Sequence, residues 1–137
     1  LEAGLGFAVA WDKDGGFIGR EALLAQRAER DGKGALDRRL VQIMIRNSGE
    51  TAPMLYHEEP ILRDGKVVGA TTSGAWGHRI NSGKGASIGM GYVKSPDGVT
   101  QDWISSGQWE VEVAWKRYPI DLQFKPWYDP KSERVKA

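Results

Sequence analysis

Asp64-Gly65 lies between two apolar runs, Pro60-Ile61-Leu62-Arg63 and Lys66-Val67-Val68-Gly69-Ala70-Thr71-Thr72, and restricts the fold more than any other feature. A two-residue hairpin loop places both central residues at positive φ, a conformation that Asp and Gly tolerate, so the pairing of these runs is written into the local sequence. Other segments follow the same grammar. Leu40-Val41-Gln42-Ile43-Met44-Ile45 reads as a strand, and residues 86–93 as another, with Ile88, Met90 and Tyr92 alternating against glycines. Trp109-Glu110-Val111-Glu112-Val113-Ala114-Trp115 alternates between apolar and acidic residues, as a half-buried strand does. Trp109 and Trp115 are six apart and share one face of this strand, which places both in the core. Residues 118–124 supply a further strand, with Ile120, Leu122 and Phe124 on one face.

Short strands punctuated by Gly and Pro favour a small antiparallel barrel over an open sheet. The expected fold is mainly β: a six- to seven-stranded antiparallel barrel preceded by one strand and one α-helix. The preceding strand is residues 5–11, and Asp12-Lys13-Asp14-Gly15-Gly16 is a turn after it. The helix runs over residues 20–30, where Leu24 and Ala28 share a face, and Gly32 and Gly34 end it. The polar stretch 94–108, holding Trp103 and Ile104, reads as a long loop.

The composition narrows the functional classes. A chain of 137 residues with 40% hydrophobic and 27% charged residues can bury a real core, which argues against disorder. A net charge of +1 gives no electrostatic case for nucleic acid or an anionic membrane as partner. The basic stretch 131–136 reads as a solvated end. With no cysteine, disulfides, thiolate metal sites and a cysteine nucleophile are excluded. No apolar run approaches the roughly 20 residues of a membrane span, and no signal peptide is visible. The sequence starts without methionine, directly in strand-like residues, and reads as a piece cut from a larger protein.

Chemistry-bearing motifs are sparse. His57, followed by Glu58 and Glu59, and His78 lack the paired spacing of zinc sites, so no metal is expected. Ser73-Gly74-Ala75-Trp76-Gly77-His78 lacks the strand–elbow–helix context of a nucleophile, and no catalytic residue is assigned. Gly83-Lys84-Gly85 and Gly89-Met90-Gly91 precede no helix, so they offer no phosphate cradle and instead relieve crowding where strands bend. Trp76, Trp103 and Trp127 fall in loops or at ends, where an aromatic either packs a neighbouring domain or stacks on a flat ring.

The order of several phrases adds a resemblance. Leu1-Glu2-Ala3-Gly4-Leu5-Gly6-Phe7, Phe17-Ile18-Gly19-Arg20-Glu21-Ala22-Leu23, Glu59-Pro60-Ile61, Val68-Gly69-Ala70-Thr71-Thr72-Ser73-Gly74 and Ile88-Gly89-Met90-Gly91-Tyr92-Val93 occur in that order. The whole chain resembles the C-terminal portion of the glycine cleavage T-protein (aminomethyltransferase) family. Lys125-Pro126-Trp127-Tyr128-Asp129-Pro130 and Gly74-Ala75-Trp76-Gly77-His78 are more similar to its flavoprotein-fused branch of dimethylglycine dehydrogenase, dimethylglycine oxidase and sarcosine dehydrogenase.

The resemblance implies residues 1–36 as the tail of an upstream folate-binding domain and 37–137 as the C-terminal barrel. It implies tetrahydrofolate bound in a funnel shared with that upstream domain, this barrel closing one side. FAD belongs to a separate domain of the parent, and no Gly-x-Gly-x-x-Gly fingerprint for it occurs here. The implied partners are those upstream folate-binding and FAD domains, with no nucleic acid and no membrane. The implied compartment is the bacterial cytoplasm, or the mitochondrial matrix in a eukaryote. One contact carries over by position: Tyr128, matching a tyrosine near the C-terminus that touches folate in some members. The residue either hydrogen-bonds the folate tail or caps the barrel. A free-standing glycine cleavage protein and a docking barrel without folate are the alternative readings of the parent.

Overall fold

The structure is a computed structural model and describes residues 1–46 and 52–136, apart from the side chain of Asn81. Six strands close into an antiparallel barrel: β1 (Arg38–Ile45), β2 (Pro60–Arg63), β3 (Lys66–Gly77), β4 (Ala86–Lys94), β5 (Trp109–Val113) and β6 (Lys116–Gln123). Around the barrel the order is β1-β4-β3-β2-β5-β6, and β6 returns to β1 through the pairs Gln42–Gln123 to Ile45–Ile120. Closure gives every strand a neighbour on both sides, which is how a domain this small limits edge-to-edge association.

The Asp64-Gly65 turn joins β2 to β3 with φ of 51° and 79°, the conformation expected of it. Its Asp64 carboxylate accepts the Gln108 N–H at 2.9 Å and pairs with Arg63 at 2.6 Å. The long β3 bends at a register shift between Thr71 and Ser73, so one strand serves both β2 and β4. Backbone passes close to the inside of this bend. A Cβ on Gly74 would lie 1.8 Å from the Leu55 carbonyl oxygen, and one on Gly91 would lie 2.6 Å from the Ala70 oxygen. The crowding expected at Gly85, Gly89 and Gly91 is therefore present, whereas a Cβ on Gly83 would meet open space.

Alternate residues of β1, β4, β5 and β6 fill the interior. Val41, Ile43, Ile45, Leu55, Ile61, Val93, Val111 and Ile120 are buried together, with Val99, Ile104 and Trp109. A barrel of six strands is narrow enough for side chains to fill it, so any ligand contact falls on its rim or outer faces.

Several expectations need correction. Trp76, expected in a loop, lies in β3, which continues to Gly77. The stretch 94–108 is not all loop, because it contains a short helix, α2 (Gln101–Ser106), capped by the Thr100 hydroxyl, which accepts the Trp103 N–H at 3.0 Å. Its Ile104 is buried, and the Trp109 indole N–H donates to the Ile104 carbonyl at 2.8 Å. Arg63 stacks on Trp103 at 4.9 Å and donates to Ser106 at 3.2 Å, tying α2 to the hairpin. Trp103 meets Trp109 edge-on at 5.1 Å, so it packs on the core of its own domain.

Trp109 and Trp115 do not share the core. Trp109 is buried, whereas Trp115 is 96% exposed. The strand ends at Val113, and Ala114-Trp115 forms the β5–β6 turn with φ of 48° and 65°, which breaks the period-two alternation before Trp115.

The expected strand over residues 5–11 is instead a single 3-10 turn, Gly6–Ala8. A strand needs a ladder partner, and β1 pairs with β4 over residues 38–44 and with β6 over residues 42–45, which leaves only its first residues open on one side. The Leu40 N–H donates to the Glu2 carbonyl at 2.8 Å and ties this segment to β1. The helix α1 (Arg20–Lys33) extends one turn beyond its expected end and stops at Gly34, which takes a left-handed conformation with φ of 77°. It buries none of its side chains fully, and Phe7 and Ile18 before it are exposed.

Candidate functional site

The barrel rim near the end of β3 carries the best-placed polar and aromatic groups. After β3 the chain turns through residues 78–85, anchored by buried Ile80, whose carbonyl accepts the N–H groups of Gly83 at 3.1 Å and Gly85 at 3.2 Å. Gly85 has φ of 76°, and a Cβ there would lie 2.7 Å from the Trp76 indole nitrogen, so the ring lies against bare backbone. This turn presents Arg79 outward.

Tyr128 arrives at the same place from the C-terminal segment. Its ring is 42% exposed, and its hydroxyl oxygen accepts a long 3.5 Å hydrogen bond from the Arg79 guanidinium. Arg134 lies over the Tyr128 ring at 5.6 Å. The turn that delivers Arg134 is organised by Asp129, whose carboxylate accepts the N–H groups of Glu133 at 2.9 Å and Arg134 at 3.0 Å. The adjacent Trp127 is half-buried, and its indole N–H is enclosed with no hydrogen-bond partner among the described residues. Because the Tyr128 oxygen accepts from Arg79, its own proton is free to donate, beside two positive charges. Chemically, the cluster suits an acceptor-rich anionic or amide group.

The other motifs do not converge on it. His57 is exposed and packs its ring on Tyr56 at 4.3 Å. Glu59 accepts the Tyr56 N–H at 3.0 Å and a short hydrogen bond from the Thr71 hydroxyl, which makes it a clamp between a loop and β3. His78 is exposed on the rim turn. Among the described residues, no group of three or more His, Cys, Asp or Glu side chains could hold a metal ion. Among the described residues, no helix is long and apolar enough to cross a membrane. Tyr128 is the candidate that the sequence offered, and its contact with Arg79, made across 49 residues, is one that no spacing shows.

Comparison with known proteins gives the lineage. The chain is 34% identical over 98% of its length to the 4-methylaminobutanoate oxidase (formaldehyde-forming) of Paenarthrobacter nicotinovorans, of which it covers 14%. It is 34% identical over 100% of its length to the mitochondrial sarcosine dehydrogenase of Mus musculus, again covering 14% of that protein. It is also 34% identical over 93% of its length to the aminomethyltransferase of Nostoc sp., covering 29% of it. The chain thus spans a small part of the relatives it matches. Residues 38–129, the barrel and the segment through Tyr128 and Asp129, match the glycine cleavage T-protein C-terminal barrel domain, and the chain belongs to that family.

Proposed function

We propose that this chain is the C-terminal accessory domain of a tetrahydrofolate-dependent aminomethyltransferase-like module, within an FAD enzyme of the dimethylglycine or sarcosine dehydrogenase type. The observation that carries this reading is the alignment of essentially the whole chain with a sarcosine dehydrogenase and a 4-methylaminobutanoate oxidase. In such a parent an FAD domain oxidises the N-methyl amine, and tetrahydrofolate takes up the released one-carbon unit. The barrel contributes wall and interface, and the catalytic groups belong to other domains. A reducing compartment, the bacterial cytoplasm or the mitochondrial matrix, fits this role.

Residues 1–36 are the tail of the upstream folate-binding domain, and 37–137 are the barrel. Support comes from the family match beginning at residue 38 and from α1, which leaves no side chain fully buried on this chain. Tyr128 touches the folate tail. Its free hydroxyl proton donates to a carboxylate or amide there, while Arg79 and Arg134 supply favourable charge. The similarity to the Nostoc aminomethyltransferase favours a second reading, a free-standing glycine cleavage protein, and bound FAD in the purified parent separates the two.

The test is a titration of the parent polypeptide with a stable reduced folate, read by tryptophan fluorescence, beside the same titration of this chain alone. Saturable quenching in the parent only is the expected result. Tyr128→Phe in the parent should weaken binding by about 5- to 10-fold, the worth of one net hydrogen bond. Unchanged affinity assigns Tyr128 to capping the barrel. Silence in the parent overturns the folate reading and leaves a docking barrel.

A further inference from the structure

We infer that the turn at residues 12–16 carries a site of spontaneous covalent modification, the isomerisation of Asp14 to isoaspartate through the Gly15 nitrogen. Four Asp-Gly pairs occur in the chain: Asp14-Gly15, Asp31-Gly32, Asp64-Gly65 and Asp97-Gly98. Glycine leaves the nitrogen after the aspartate unshielded by a side chain, so all four carry the reactive sequence. The fold decides which of them reacts.

The chemistry sets two requirements. The glycine nitrogen bonds to the aspartate Cγ, and its proton and the carboxyl hydroxyl leave as water, closing a five-membered succinimide. Water then opens the ring at either carbonyl, which restores aspartate or leaves the backbone running through Cγ as isoaspartate. No oxidant and no cofactor takes part. The carboxyl must be free to swing onto the next nitrogen, and that N–H must be free of a hydrogen bond.

Three pairs fail one or both requirements. The Asp31 carboxylate accepts two hydrogen bonds from Arg30, at 2.6 and 2.9 Å, and Gly32 lies within α1, whose ladder engages its N–H. Both oxygens of Asp64 are held, one by the Gln108 N–H at 2.9 Å and the other by Arg63 at 2.6 Å. The Gly98 N–H donates to the Ser95 carbonyl at 3.0 Å, and a Cβ on this buried glycine would lie 2.8 Å from that of Ala35.

Asp14-Gly15 meets both requirements. The Gly16 N–H donates to the Lys13 carbonyl at 2.9 Å and closes a turn with Asp14 and Gly15 at its tip. Both tip residues are exposed. Among the described residues, the Asp14 carboxylate accepts no hydrogen bond and forms no ion pair, and the Gly15 N–H has no acceptor. A Cβ on Gly15 would meet nothing within 4 Å, so the ring closes without a clash. Each conversion adds one methylene to the backbone of the turn that leads into α1.

The experiment incubates this chain at physiological pH and temperature, native and unfolded in guanidinium chloride, and maps isoaspartate by proteolysis and fragmentation mass spectrometry. In the native chain, Asp14 should convert about 10-fold or more faster than the other three, the worth of the one or two hydrogen bonds that hold each of them. In the unfolded chain the four rates converge. Asp14→Glu removes the fast conversion, and Asp14→Asn accelerates it, with ammonia leaving in place of water. Equal native rates, isoaspartate arising first at Asp31, Asp64 or Asp97, or a stable Asp14→Asn chain overturns the inference. None of these readouts depends on folate binding, so this inference stands or falls separately from the proposed function.

Discussion

The β5–β6 turn should be stabilised by changing the residues that form it. Val113 pairs with Lys116, so Ala114 and Trp115 are the two central residues, and both lie at positive φ, 48° and 65°. A hairpin turn of this shape favours Asn-Gly. For a residue other than glycine the left-handed conformation costs roughly 1–2 kcal/mol, while the extra freedom of glycine in the unfolded chain takes back about 0.5–1 kcal/mol. Trp115 is 96% exposed, so Trp115→Gly removes almost no buried surface. The net expectation for Trp115→Gly is a gain of about 1 kcal/mol, and Ala114→Asn adds a few tenths more. With an unfolding entropy of about 2.1 cal/mol/K per residue, 137 residues convert 1 kcal/mol into a rise in Tm of about 3–4 °C. The assay is thermal and urea unfolding of the single and double variants, with an unchanged urea slope showing that the unfolded state is the same. A fall in Tm for Trp115→Gly refutes the reasoning, because it means that the indole is packed.

Two further contrasts test the packing and the electrostatics. Gly91→Ala places a methyl 2.6 Å from the Ala70 carbonyl oxygen and 2.7 Å from Ile61 Cδ1, and should cost about 3 kcal/mol or more by urea unfolding. By contrast, Gly32→Ala, in α1 with open space around it, should raise helix content and leave the barrel transition unchanged; a similar loss in both variants contradicts the packing argument. Lys33 is held above the ordinary lysine value by hydrogen bonds to Asp37 and Glu29. Because the folded-state value is raised, its stabilisation is full at neutral pH and is lost as pH rises through that value. Lys33→Met should lower Tm slightly at pH 7 and lose this effect as pH rises through the raised lysine value, and an equal loss on both sides of that rise contradicts the assignment.

Local chemistry wrote the β-hairpin at Asp64-Gly65, the glycine end of α1 and five of the six strands to within a few residues, from turn geometry and period-two burial between neighbours in sequence, whereas β3 runs past its expected end at Thr72 to Gly77. The order of short phrases carried the family. Local chemistry did not determine α2, whose six residues are too few to show a helical period and which holds only through its cap and the burial of Ile104. Nor did it determine the fate of residues 5–11, since the open side of β1 is only its first residues, and there the Leu40 N–H is taken by the Glu2 carbonyl. The exposure of Trp115 depended on where the chain turned. The meeting of Tyr128 with Arg79 arises from a contact between segments distant along the chain. Such contacts are set by how the barrel closes, and no pattern confined to neighbouring residues encodes them.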